Sequence, residues 1–157
     1  VTKDVLISIQ GLQFAGGEVD GVSNDEELDK IETICTGEYY CRNNAHFILY
    51  DELVGDTSVG DDNETIKNVL KLRDKEFTLT KKGVMNVQMV FAQGEKTMAE
   101  YRTPYGSIMI ALDTKSVEYQ EEADSFHINI NYGLEANYQF VADCNIKIDV
   151  KSNTKKE

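Results

Sequence analysis

Tryptophan is absent, proline occurs once, histidine twice and cysteine three times in 157 residues. Each shortage narrows what the chain can be. Cys35, Cys41 and Cys144 are too few, and odd in number, for a disulfide framework, and such usage points to a reducing cytoplasm. Cys35 and Cys41 would stand ~20 Å apart along one extended strand and cannot bridge each other, while a bridge from either to Cys144 stays open. No CxxC pair occurs, and only His46 and His127 could add imidazole ligands, so no metal and no cofactor is expected. The same two histidines are the only bases for a Ser–His or Cys–His pair. His46 opens a strand beside a turn and His127 lies on the polar side of an alternating strand. A solvated surface histidine is the better reading of both. Cys41 is near His46 in sequence, but the intervening turn gives no reason for sulfur and ring to meet.

Other absences remove whole classes of function. There is no GxSxG elbow and no Walker lysine. "GGEVDG" (Gly16 to Gly21) lacks the strand-before, helix-after context of a phosphate cradle and reads as a flexible loop. "GDTSVGDDNE" (Gly55 to Glu64) lacks EF-hand spacing. No apolar run approaches the ~18 residues a membrane span needs, so no membrane association is expected. The opening "VTKDVLISIQ" has no apolar core followed by a small-residue cleavage site, and no signal peptide is expected from it.

What the chain does have is acid in two blocks. Residues 15–32 carry seven acids against Lys30, and residues 51–64 carry six acids and no base, so the two together hold the whole net charge of −12. An acidic surface repels phosphate, and nucleic acid is not an expected partner. The plain reading of both blocks is a solvated loop; a dock for a basic protein partner is the alternative.

It also has period-two alternation. Phe126, Ile128, Ile130, Tyr132, Leu134, Ala136 and Tyr138 form one face of a strand, opposite His127, Asn129, Asn131, Glu135 and Asn137. Ala142, Cys144, Ile146, Ile148 and Val150 repeat the pattern, and Met85, Val87, Met89 and Phe91 show it earlier. Turn signals separate the runs at "NNA" (Asn43 to Ala45), "RDKE" (Arg73 to Glu76), "KKG" (Lys81 to Gly83), "QGEK" (Gln93 to Lys96) and "EEADS" (Glu121 to Ser125). "SNDEELDKI" (Ser23 to Ile31) and "DNETIKNVLKL" (Asp62 to Leu72) compete as short helices, and we read loop then strand for each. About ten strands with short connections predict a single all-β domain over 1–157, a mainly antiparallel barrel or sandwich. The tail "KSNTKKE" (Lys151 to Glu157) is expected to be disordered. Pro104 sits inside "YRTPYGSIMIALDT". It reads as a corner between Met98–Thr103 and Ser107–Thr114, with Tyr105 exposed and Gly106 free to take a positive φ.

"GEYYCRN", "HFILYDE", "KKGVMNVQMVFAQGEKT" and "YRTPYGSIMIALDT" follow one another, with "YGLEANYQFVADCNIKI" closing the chain. In this order they resemble the YwiB-like family of Firmicutes, a domain of unknown function, from about Lys3 to Val150. The resemblance implies a calycin-like, lipocalin-related β-barrel of about 8–10 strands and transfers no activity. The chain lacks the Gly-x-Trp signature of lipocalins proper, which speaks against extracellular transport.

A barrel of this size holds either side chains or one small ligand. The chain has eight tyrosines, whose apolar ring and polar tip suit a half-wet cavity. The first expectation is therefore a cytoplasmic binding module for a small hydrophobic or amphipathic ligand, with Tyr50, Tyr101, Thr103 and Thr114 supplying hydroxyls. The second is a non-catalytic interaction module with a filled barrel, whose acidic loops recruit a basic protein. An enzyme is the least supported. It would need Glu135 with His127, or Glu100 with Arg102, turned into one pocket.

Overall fold

The computed structural model describes residues 3–11, 32–53, 65–83 and 86–153. It contains ten strands: β1 (Lys3–Gln10), β2 (Glu32–Arg42), β3 (Ala45–Leu53), β4 (Thr65–Arg73), β5 (Glu76–Lys82), β6 (Val87–Ala92), β7 (Lys96–Thr103), β8 (Gly106–Glu121), β9 (Ser125–Ala136) and β10 (Gln139–Ser152). They form one antiparallel sheet in the order β6-β5-β4-β3-β2-β1-β10-β9-β8-β7. Every sequence neighbour except β6–β7 is also a ladder neighbour, and β1 pairs with β10. The sheet thus rolls into a nearly closed barrel. Its one seam, between β6 and β7, carries a single bridge among the described residues, in which Asn86 and Arg102 exchange two backbone bonds of 3.0 Å. The Thr97 hydroxyl also donates to the Val90 carbonyl there, a side chain standing in for a missing ladder bond. A fully closed sheet would show no seam; this one leaves two short edges.

The alternation works as the sequence predicts. Val87, Met89, Phe91, Ile128, Ile130, Ile146 and Ile148 all point inward and are buried. Phe77 meets Phe91 at 5.9 Å between ring centroids, and Phe91 meets Tyr132 edge-on at 4.9 Å, so large side chains span the middle. Each such residue contributes ~1.5–3 kcal/mol by leaving water. A ligand-sized void would leave its lining measurably accessible to a water-sized probe. Phe77, Leu79, Met89, Phe91, Leu112, Ile130, Ile146 and Ile148 have no accessible surface, so the middle of the barrel is filled.

Several elements differ from expectation. The strand read as Ser125 to Tyr138 ends at Ala136. Asn137 and Tyr138 form the turn instead, with φ of 50° and 70°, and Tyr138 is exposed, not on the dry face. A two-residue hairpin needs left-handed backbone at both positions, which moves Tyr138 off the strand. The strand after Pro104 continues past Thr114 to Glu121, because Lys115 is bulged out and the inward phase resumes at Val117. The chain stays in strand through Ser152, and Asn153 donates to the Asp4 carbonyl at 2.9 Å, so Lys151–Ser152 are not tail. The second helix candidate is β4 from Thr65 on. The first, with "GGEVDG", "GDTSVGDDNE" and Met85, lies outside the described residues. Pro104 and Tyr105 form the corner between β7 and β8, and Gly106 has φ of 132°.

The connections alternate between two rims. One rim carries the tight turns at Asn43–Asn44, Asp74–Lys75, Gln93–Glu95 and Glu122–Asp124. The other carries Pro104–Tyr105, Asn137–Tyr138 and the two long connections, β1 to β2 and β3 to β4. Both acid-rich blocks of the sequence therefore join the barrel at this second rim.

Candidate functional site

The second rim also holds the most unusual buried chemistry. In β4, Ile66, Asn68, Leu70 and Leu72 share the inward phase; in β5, Phe77, Leu79 and Lys81 do. Register aligns Tyr50, Asn68, Lys81 and Val87 across β3 to β6, so an amide and an ammonium enter an otherwise apolar row. Both are buried. Lys81 Nζ donates to Glu52 Oε1 at 2.9 Å and to Asn68 Oδ1 at 2.8 Å. Asn68 Nδ2 donates to Glu52 Oε1 at 3.3 Å and to the Ile66 carbonyl at 3.4 Å. The charge is thus compensated on the spot, as a buried cation requires. Glu52 stays half in solvent at the mouth.

Glu52 also acts on its neighbours. Burial first, and the Glu52 charge second, push the Tyr101 hydroxyl up to about 12 and the Tyr50 hydroxyl higher still. The same two causes raise the Cys35 thiol. At neutral pH all three remain protonated, so they serve as hydrogen-bonding groups and not as bases or nucleophiles.

Of the residues singled out from the sequence, Tyr50 and Tyr101 come to this mouth. Thr103 ends β7 at the same rim, pairing with Gly106, and nothing is described of its side chain. Thr114 does not join them. Tyr101 faces Ile108, and Thr114 lies six residues further along β8, ~20 Å away. Its hydroxyl is buried with no hydrogen-bond partner among the described residues. Its backbone instead ties down the β6–β7 turn, accepting from Gly94 N at 2.9 Å and donating to the Glu95 carbonyl at 3.0 Å. Glu52, Asn68 and Lys81 escaped the sequence reading, although strand phase marks them: both Asn68 and Lys81 interrupt apolar faces at the two-residue spacing.

The histidines are less simple than expected. His46 is not a solvated surface residue: it is 9% exposed, its ring tilted against Phe126 at 4.6 Å, with Nδ1 2.7 Å from the Tyr39 hydroxyl. A turn of only two residues also makes Cys41 and His46 direct cross-strand partners, closer than sequence suggested. Burial is the main reason the Tyr39 hydroxyl is pushed up to about 12. On the outer face, His127 Nδ1 donates to Asp149 Oδ1 at 2.5 Å, and Nε2 lies 3.4 Å from Ser125 Oγ. This has the order of a hydrolytic relay. The Ser125 hydroxyl, however, has its shorter contact, 3.1 Å, with Glu122 Oε1, so its proton is committed to a carboxylate and not to the ring. Glu135 pairs with Lys96 at 2.7 Å and Glu100 with Arg102 at 3.3 Å, both on the outside. Glu100 does meet Arg102, but on the outer face and not in a pocket, and Glu135 bonds Lys96 in place of His127.

Two clefts open among the described residues, and both are superficial. One of about 120 Å³ lies between the ends of β1 and β10 and the β8–β9 turn, beside Tyr39 and Phe126. The other, about 410 Å³, is a mixed-charge hollow outside the β4–β5 and β6–β7 turns. Among the described residues no helix is long and apolar enough to cross a membrane.

Comparison with known proteins agrees with this architecture. The model of a family described as "Domain of unknown function (DUF1934)" matches residues 18–148. The chain is 24% identical over 113 residues to the "Uncharacterized beta-barrel protein YwiB" of Bacillus subtilis (strain 168), covering 72% of this chain and 75% of that protein. The crystal structure of the ywiB protein from Bacillus subtilis superposes with a TM-score of 0.71 at 20% identity, over 98% of this chain and 94% of that one. This last likeness concerns the fold.

Proposed function

The chain belongs to the DUF1934 family, and from that premise, with a barrel packed through its middle, we propose that it is a non-catalytic interaction module for a basic protein partner. One observation carries this reading: the two acid-rich connections, residues 11–31 at −5 and residues 54–64 at −4, join strands at the same rim. A rim of one sign raises the local concentration of oppositely charged segments and speeds their encounter. The filled interior supports a scaffold over a carrier. The described cysteines are all unbridged, which fits a reducing cytoplasmic setting. Binding of a basic partner is expected to weaken steeply as salt rises past ~0.1 M. Capture from lysate with equal yield at low and high salt would overturn the reading.

A second reading is favoured by the Lys81–Asn68–Glu52 cluster. A small amphipathic ligand at the mouth would find Tyr50 and Tyr101 as hydroxyl donors, with Thr103 at the rim and Thr114 remote. Native mass spectrometry of freshly purified protein tests it. A bound small molecule is the expected result, and an apo mass alone removes it.

A further inference from the structure

The outer wall of the barrel is not uniform. Over β9 and β10 it is polar and satisfied within itself: Asn145 Nδ2 donates to Asn129 Oδ1 at 2.7 Å and to Asn131 Oδ1 at 2.8 Å. Over β2, β3 and β4 it is largely apolar. Two adjacent rows cross these strands, Tyr40–Phe47–Lys71 and Glu38–Leu49–Val69. Both rows face outward, because Tyr39, Ile48 and Leu70, which stand between them, face the core. The rows form one surface. Tyr40 and Phe47 stack at 4.8 Å between centroids and 10° between planes, and Lys71 Nζ lies 5.8 Å from the Phe47 ring centre. Tyr40, Phe47, Leu49 and Val69 are only half-buried. Towards the second rim, Ile34 and Leu6 stand as diagonal neighbours on the same wall, at 63% and 40% exposure.

The charges on this wall are sorted by strand. Glu38 flanks the apolar middle on β2, and Lys67 and Lys71 flank it on β4. Asp51, on β3, is met by Lys67 at 3.9 Å. A purely basic partner would collide with the lysines, and a purely acidic one with Glu38. The wall is matched by a surface with the same two flanks in reverse order. A two-fold axis along β3 generates that surface from the chain itself, because it lays β2 of each copy over β4 of the other.

We propose that the outer wall of β2, β3 and β4 docks a second copy of this chain about such an axis. Phe47 and Leu49 then meet their own counterparts, and Glu38 of each copy falls between Lys67 and Lys71 of the other. Sheets packed this way stay within about 30° of alignment. Barrel walls are convex, so contact is confined to about three strands, roughly 15 Å across. That is small for a specific interface and suits a reversible dimer that dissociates above about a micromolar. The dimer leaves both rims open and does not depend on the acidic-rim reading.

The test is sedimentation velocity of the full chain over a wide concentration range. It is run at ~0.15 M salt, where a Debye length of about 8 Å screens the repulsion between copies. The parent is expected to pass from monomer to dimer, and Phe47→Ser to weaken the dimer at least about tenfold. Glu38→Lys alone, and Lys67→Glu with Lys71→Glu, should each be monomeric, since like charges then face each other. An equimolar mixture of these two variants should recover the dimer, because every flank is again opposed by the other sign. Thermal melting of each variant checks that it is folded; should Phe47→Ser fail to fold, the charge variants decide. A parent that stays monomeric at about millimolar concentration overturns the inference. So does a dimer that survives the substitutions, or a mixture of folded charge variants that stays monomeric.

Discussion

Lys81 is the residue whose environment departs most from its type, and its energetics are asymmetric. Its ammonium is buried with Glu52 and Asn68 as acceptors. Replacing it by methionine removes the charge and keeps the volume, so Lys81→Met should be within ~1 kcal/mol of neutral. Glu52→Ala leaves the buried charge with only an amide oxygen. Because Glu52 is half exposed, the expected loss is ~1–2 kcal/mol, less than for a fully buried pair. Chemical denaturation of the two variants gives the comparison, and a larger loss for Lys81→Met would contradict it. The tyrosines give a pH prediction. The folded-state pKa values of Tyr39 and Tyr101 are raised from 10.0 to about 12, and that of Tyr50 is raised further. The folded protein therefore holds these protons more tightly than the unfolded chain. The associated stability is complete below pH 10 and is lost as pH climbs from about 10 through about 12. Phenolate absorbance should show a fraction of tyrosine that ionises only with alkaline unfolding.

Among the elements, the seam between β6 and β7 is the weak one. Among the described residues it has one bridge and one side-chain substitute for a ladder bond. Thr97→Val keeps the shape and removes that substitute, and should cost about 1 kcal/mol. Amide exchange should speed up in β6 and β7 before β9 and β10. Unchanged protection in β6 would refute a seam role for Thr97. The opposite wall is held by close approach. A Cβ on Gly37 would stand 2.3 Å from the Leu49 carbonyl oxygen and 2.8 Å from Ile7 Cδ1. Gly37→Ala must therefore move backbone, and a loss of roughly 1–3 kcal/mol is expected in a denaturation curve. The elements were largely legible in advance, since alternation and turn residues are local signals. Bulges were not. One inserted residue at Lys115 or Val141 reverses the inward phase without changing the local composition, and only the partner strand reveals it.

For the whole molecule, a net charge of −12, concentrated in two acidic blocks whose flanking strand ends share one rim, implies self-repulsion in the folded state. Raising monovalent salt from ~0.02 to ~0.2 M should therefore raise Tm by screening it. A flat Tm would mean that the blocks are too far apart, or too well solvated, to interact.

The sequence by itself determined the strand count, the inward face of most strands, the turns and the family likeness, because period-two burial and turn chemistry are written in near neighbours. It also placed Tyr50 and Tyr101 among the residues of interest. Only the tertiary structure decided that these two share a mouth and that Thr114 lies far down the wall. It alone buried His46, and it alone gathered Lys81, Asn68 and Glu52. Those facts depend on register between strands distant in sequence, and one residue of register or one bulge carries a side chain from the core to solvent.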